Sequence, residues 1–173
     1  MTFDTPQGPL TIVQASAEDV ATCVAIEEDA VGWLRSRGIE PGEPPRPLRE
    51  IFADAIAREQ MYLALRDGVP AAKLALTDAD DLWDDLPGDA LYVHGLMVRR
   101  ACAGQAVGRA LLAWAARRAA RLGKSLLRLD CDATNPRLRA YYESAGFALR
   151  GDVALAHRTA ARYEQSVGGE AHP

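Results

Sequence analysis

The fold is decided by residues 90–131, which read ALYVHGLMV (90–98), RRACAGQAVGRALLAWAARRAARLGK (99–124) and SLLRLDC (125–131). The segment Ala90–Val98 is apolar at both odd and even positions, which is typical of a strand buried on both faces. Gln105–Leu122 has the apolar spacing of a helix, and Ser125–Cys131 is a second strand. This order predicts a parallel strand pair joined by a right-handed helical crossover.

The turn that opens the helix is the candidate ligand site. Its sequence, AGQAVG at 103–108, follows the carboxyl end of the first strand, where parallel sheets bind ligands. The first N–H groups of a helix lack partners within the helix, so this turn suits an anion.

The remaining segments predict antiparallel strands and three more helices in a single domain spanning residues 1–173, with a core of about 10–167 and loose ends. The predicted strands outside the central pair are Leu10–Gln14, Met61–Arg66, Ala71–Thr77, Phe147–Val153 and Ala161–Val167. The predicted helices are Ser16 to about Gly38, Leu48–Glu59 and Pro136–Ala145, with connections at Pro41–Pro47, the hairpin turn Asp67-Gly68 and the aspartate-rich loop Asp78–Asp89.

Composition predicts a globular protein that neither spans a membrane nor binds nucleic acid. Nearly half of the 173 residues are apolar, which is ample for a core. The longest apolar run, around Leu111–Ala116, is far shorter than the ~20 residues of a membrane span, and the net charge of −4 argues against a nucleic-acid partner. Three cysteines without metal-ligand spacing and a start without signal-peptide features predict a cytoplasmic protein that binds no metal.

Three motifs in this order make the chain resemble the GNAT superfamily of N-acetyltransferases: Leu96-Met97-Val98, the loop Gly104–Gly108, and Asn135 followed by Tyr141-Tyr142-Glu143. The resemblance implies an α/β (α+β) fold with a mixed, mostly antiparallel sheet, one parallel strand pair and flanking helices. It also implies transfer of an acetyl group from acetyl-CoA to an amine. A non-catalytic acetyl-CoA sensor or partner-binding module is the alternative.

The loop departs from the family pattern, Gln/Arg-x-x-Gly-x-Gly/Ala. Counted from Val98, Ala103 stands where Gln or Arg is usual, and Ala106 stands where the first Gly is usual. If Ala106 needs a positive φ, it costs about 1 kcal/mol of strain. By resemblance, the cofactor-binding residues are Leu96, Met97, Val98, Ala103, Gly104, Gln105, Ala106, Val107, Gly108, Arg109, Asn135 and Tyr142.

Tyr142 has the family spacing of the tyrosine that faces the CoA sulfur, seven residues after Asn135 and four before Gly146. A phenol stays protonated at neutral pH and can donate to a departing thiolate. Tyr142 also belongs to a helical stripe with Leu138, Tyr141 and Ala145, so a core position is the alternative, and one helix face can serve both purposes. Asn135 is a cofactor ligand by resemblance, or the N-cap of the helix that begins at Pro136, and the two roles are compatible.

His94 is the general-base candidate, because imidazole titrates near neutral pH and shares the sequence parity of Leu96 and Val98. A structural histidine is its alternative, and Glu27 and Glu28 on the first helix are rival bases. Cys102 and Cys131 have no histidine partner in their motifs, which excludes a thiol nucleophile.

Several properties stay open at this level. The acceptor is a small-molecule or peptide amine, the acyl group is acetyl or slightly larger, and a homodimer is compatible with the sequence. The six aspartates of the 78–89 loop either steer cationic amines toward His94 or form a solvated loop elsewhere.

Overall fold

The computed structural model describes residues 2–168. Its strands are β1 (Thr2–Thr5), β2 (Gly8–Gln14), β3 (Met61–Arg66), β4 (Val69–Thr77), β5 (Ala90–Val98), β6 (Leu126–Asp132), β7 (Ala148–Ala154) and β8 (Thr159–Ser166). Its α-helices are α1 (Val20–Ser36), α2 (Leu48–Ala57), α3 (Val107–Arg121) and α4 (Pro136–Ser144). Within these described residues, no helix combines the length and the hydropathy that crossing a membrane requires.

The strands form one mixed sheet in the order β1-β2-β3-β4-β5-β6-β8-β7. β5 and β6 are parallel neighbours, as the 90–131 segment predicts, and the other described pairings are antiparallel. The fold class is therefore confirmed. Among the described residues, the chain divides into two compact units, one of residues 2–75 and 95–111 and one of residues 76–94 and 112–168.

The first unit packs α1 and α2 on the strands β2 and β3. Its core consists of the buried residues Ala15, Cys23, Ile26, Phe52, Ile56, Met61 and Leu63. The chain enters α1 through a 3₁₀ turn, and the Asp19 carboxylate accepts hydrogen bonds from both the backbone N–H and the hydroxyl of Ser16. β1, which pairs with β2, was not predicted, because its four residues carry no alternating apolar pattern.

The hairpin between β3 and β4 forms at the predicted turn. Asp67 and Gly68 both have positive φ, 51° and 78°, which matches the mirror-image turn that follows the twist of a hairpin. The paired region of β4 begins at Val69, two residues earlier than predicted.

The second unit contains β6 between β5 and β8, with β7 at the edge. This unit buries the charged side chain of Arg128 on β6, which is only 3% exposed. The guanidinium donates to the Glu164 carboxylate at 2.8 Å and to the Leu86 carbonyl at 2.8 Å, and it lies 4.6 Å from the centre of the Trp83 ring. These partners replace the water that Arg128 loses on burial.

Arg128→Met should lower the free energy of unfolding by about 3 kcal/mol, because it leaves the Glu164 carboxylate, 15% exposed, without its buried partner. Arg150 is the matched control, since it approaches the same carboxylate at 3.6 Å but is 47% exposed. Arg150→Met should cost less than about 1 kcal/mol. Urea unfolding of both variants measures the difference, and equal losses would contradict this account of Arg128.

Candidate active site

β5 changes character half-way along its length. Ala90–Val93 are buried, whereas Leu96, Met97 and Val98 are half-buried, and Gly95 between them has a φ of 55°. The expectation of a strand buried on both faces is therefore wrong for its second half. The positive φ also interrupts the alternation of side chains, so sequence parity does not relate His94 to Leu96.

The parallel ladder between β5 and β6 is short. It joins Ala90–Tyr92 to Leu126–Arg128, and among the described residues it ends there although both strands continue. The residue after β5, Arg99, is bound to β4. Its backbone N–H donates to the Ala71 carbonyl at 2.8 Å, and its Nε donates to the Pro70 carbonyl at 2.9 Å.

The candidate anion turn follows Arg99. A 3₁₀ turn at Arg100–Cys102 leads into Gly104 (φ 75°) and Ala106 (φ 59°), and α3 begins at Val107. The predicted start of α3 at Gln105 is wrong by two residues, because a residue with the left-handed φ of Ala106 lies outside a right-handed helix. The Ala106 carbonyl accepts from the N–H of Ala110 at 3.0 Å, so the preceding N–H groups, from Val107 to Arg109, lie ahead of the first helical hydrogen bond.

Two side chains hold this turn in place. Asp29 on α1 accepts a 2.6 Å hydrogen bond from the backbone N–H of Arg100, whose guanidinium lies 4.6 Å from the centre of the Trp33 ring. Gln105 donates to the Ala101 carbonyl at 2.9 Å and accepts from Arg66. Both ends of the Gln105 amide are thus engaged by protein groups.

Tyr142 on α4 is 7% exposed and lies in an aromatic cluster. Its ring centre is 5.5 Å from that of Tyr141, 6.1 Å from that of Phe147 and 6.0 Å from that of Tyr163. Burial, and to a lesser degree the neighbouring Cys131, raises the pKa of Tyr142. The phenol is therefore protonated at every physiological pH, whichever of its two predicted roles it has.

Asn135 and Cys131 belong to the same unit as Tyr142. The Asn135 side-chain oxygen accepts from the N–H of Leu138 at 3.0 Å, so the predicted N-cap is present. Burial raises the pKa of the Cys131 thiol to about 11, which leaves almost no thiolate at neutral pH and agrees with its exclusion as a nucleophile.

His94 lies in the second unit, and its Nε2 is 2.9 Å from the hydroxyl oxygen of Thr77 and 4.0 Å from a carboxylate oxygen of Asp80. The Thr77 hydroxyl oxygen also lies 2.9 Å from the Ala79 carbonyl oxygen. Thr77 therefore holds the imidazole of His94 through Nε2.

Two cations pair with part of the acidic 78–89 loop. Lys124 lies 2.8 Å from Asp89 and 3.8 Å from Asp78, and Arg162 pairs with Asp85. Asp80 accepts from the N–H of Leu82 at 3.0 Å and lies beside His94. The loop therefore reaches His94 through Asp80, while the charges of three other aspartates are paired.

Lys73 in β4, whose side chain is 1% exposed, is not among the predicted site residues. Its ammonium lies 2.6 Å from the Glu27 carboxylate, donates to the Gly95 carbonyl at 3.1 Å and lies 4.5 Å from the centre of the Phe52 ring. Glu27, which the sequence offers as an alternative base, thus forms an ion pair with this ammonium. A lone lysine within the apolar run Ala71–Leu76 is the signal that could have drawn attention to it.

Comparison with known proteins agrees with these features. Residues 28–147, more than half of the chain, match the model of the acetyltransferase (GNAT) family. The chain belongs to the GNAT acetyltransferase family. The predicted transfer of an acetyl group from acetyl-CoA to an amine is confirmed at this level.

Three relatives support the assignment. The uncharacterized N-acetyltransferase YesJ of Bacillus subtilis is 29% identical over 153 residues, covering 78% of this GNAT chain and 85% of YesJ. A GNAT acetyltransferase of Listeria monocytogenes shares the fold with a TM-score of 0.77 at 19% identity, covering 96% and 99% of the two chains. The acetyltransferase YncA of Salmonella typhimurium, crystallised with acetyl-CoA, has a TM-score of 0.67 at 19% identity, covering 95% and 97%. None of the three favours the non-catalytic alternative.

Ala106→Gly should stabilise this GNAT chain. It relieves about 1 kcal/mol of left-handed strain, of which the greater freedom of glycine in the unfolded chain cancels a part. Ala103→Gly is the control, because Ala103 has the ordinary φ of −65° and should lose stability on the same change. Thermal unfolding distinguishes them: Ala106→Gly should raise Tm and Ala103→Gly should lower it. A lower Tm in both would show that the turn is unstrained.

Proposed function

We propose that this GNAT enzyme acetylates an amine by direct attack on the thioester, with Tyr142 as the general acid and His94 as the general base. The observation that carries the proposal is the buried phenol of Tyr142, which stays protonated at the position that the family spacing gives to the acid. Acetyl-CoA, when bound, supplies an acetyl group activated as a thioester.

The residues of the first unit fit such a cosubstrate. The N–H groups of Val107 and Gly108 precede that of Ala110, which donates to the Ala106 carbonyl, and they suit the pyrophosphate, with Arg109 beside them. The half-buried backbone at Leu96–Val98 suits an extended pantetheine arm. We assign the remaining predicted contacts to Ala103, Gly104, Gln105, Ala106, Asn135 and Tyr142 through the backbone or side chain, on the strength of the family resemblance.

The chemistry needs two proton transfers. The imidazole of His94 takes a proton from the amine, which leaves the nitrogen lone pair free to form the new C–N bond. Tyr142 donates its phenolic proton to the sulfur as the C–S bond breaks, and water returns that proton afterwards. The products are the acetylated amine and CoA with a free thiol.

The acceptor in this proposal is a primary amine, either of a small molecule or of a peptide. Asp80, whose side chain is 16% exposed and lies beside His94, favours an amine that arrives as a cation. We also place the enzyme in the cytoplasm, a location supported by the free thiols of Cys23, Cys102 and Cys131.

Tyr142→Phe keeps the ring that packs in the aromatic cluster and removes only the hydroxyl. Calorimetric affinity for CoA should stay within about threefold, whereas thiol release with an active amine should fall by roughly 10²-fold, the scale of one general acid. Tyr141→Phe is the matched control, and its turnover should stay within about twofold because we give Tyr141 only a packing role. No CoA binding by the unmodified chain at millimolar concentration would refute the proposed function itself.

His94→Ala should change the pH dependence of kcat/KM. With the imidazole absent, only the amine that is already neutral reacts, so the rate should fall most on the acidic side and approach that of the unmodified enzyme at alkaline pH. His157, an exposed histidine after β7, is the control, and His157→Ala should leave the profile unchanged. Superimposable profiles for His94→Ala and the unmodified enzyme would remove His94 from the mechanism.

A further inference from the structure

Among the described residues of the first unit, 2–75 and 95–111, Lys73 is the one charged residue that is buried. The proposed mechanism gives it no role. All three directions of its ammonium are occupied: a carboxylate oxygen of Glu27, the carbonyl oxygen of Gly95 and the face of the Phe52 ring. Methionine would fill a similar volume without the cost of removing a charge from water. Packing alone therefore does not require a lysine at this position.

The carbonyl that Lys73 contacts belongs to the peptide bond between Gly95 and Leu96. That bond is trans and planar, so its N–H, which is the N–H of Leu96, points away from the ammonium. A charged donor on a carbonyl oxygen draws electron density from the whole peptide unit, and the N–H at its other end becomes a stronger donor. The ammonium therefore acts on the Leu96 N–H without touching it.

Gly95 makes this contact possible. Its φ of 55° is available to glycine without strain and departs from the extended path of β5 at this peptide. A Cβ at this position would lie 3.5 Å from the Lys73 ammonium, within ordinary contact distance, so the backbone conformation and not the available space is what favours glycine.

We propose that Lys73 is a positioning residue that fixes and polarises the Gly95–Leu96 peptide, so that the Leu96 N–H becomes a strong hydrogen-bond donor to the thioester carbonyl of acetyl-CoA. Glu27 keeps the ammonium charged and directed at Gly95. Negative charge develops on the thioester oxygen as the amine attacks, and a preorganised donor stabilises that charge. The proposal rests on the proposed function, because it requires acetyl-CoA to bind along Leu96–Val98.

The test is the infrared carbonyl band of acetyl-CoA labelled with ¹³C at the acetyl carbonyl, recorded by difference when bound to the protein without an amine. Binding to the unmodified protein should shift the band to a lower frequency than that of acetyl-CoA in solution. In Lys73→Met the frequency of the bound band should be close to the solution value. Affinity for acetyl-CoA should stay within about threefold, while kcat with an active amine should fall about 10-fold, less than for complete loss of such a donor.

A second variant separates polarisation from stability. Lys73→Met leaves the Glu27 carboxylate without its partner, whereas Lys73→Met with Glu27→Gln replaces the ion pair by neutral groups of similar volume and should regain Tm. In the double variant the carbonyl band should remain near its position in solution. Recovery of the band together with Tm would show that Lys73 acts only through packing, and it would overturn the inference.

The remaining outcomes are also decisive. A band in Lys73→Met identical to that of the unmodified protein, or an unshifted band in the unmodified protein, would refute polarisation while leaving the proposed function intact. Failure of the unmodified protein to bind acetyl-CoA at all would instead refute the proposed function.

Discussion

The parallel pairing of β5 with β6 is the constraint on which the rest of the structure depends. A parallel neighbour cannot be reached by a tight turn, so the chain must cross over, and it does so through α3. The crossover obliges the chain to leave the carboxyl end of β5 through a turn and to enter a helix there. The anion-binding character of the turn that opens α3 is thus a consequence of the topology.

Two residues next to this crossover have positive φ, and the conformational strain differs between them. Gly95 takes its positive φ freely, but Ala106 takes nearly the same φ at the expense of left-handed strain. The strained residue lies immediately before α3, in the turn assigned to the pyrophosphate, where the backbone rather than any side chain supplies the hydrogen bonds. An alanine in place of the family's glycine therefore affects the stability of the turn more than its chemistry.

Burial of cations is the second recurring feature of the molecule. Lys73 and Arg128 are almost fully buried, and each has a carboxylate, a carbonyl oxygen and an aromatic face as partners. Removing such charges from water is expensive, and the complete set of partners offsets that cost. The contacts of Arg128 stabilise the second unit. The charge of Lys73 also acts on a backbone peptide of β5.

Local pattern in the sequence was sufficient for several features. It determined the parallel pair, the Asp67-Gly68 hairpin turn, the cap at Asn135 and the family to which the chain belongs, because spacing and turn chemistry involve residues close together in the chain. Tertiary structure alone decided the others: the contact of the Lys73 ammonium with the Gly95 carbonyl, the ion pair of Glu27 with Lys73, and the contact of His94 Nε2 with the Thr77 hydroxyl. These depend on which side chains meet across 17 to 46 positions of chain, and burial, which makes such contacts strong, is a property of the folded molecule and not of any local pattern.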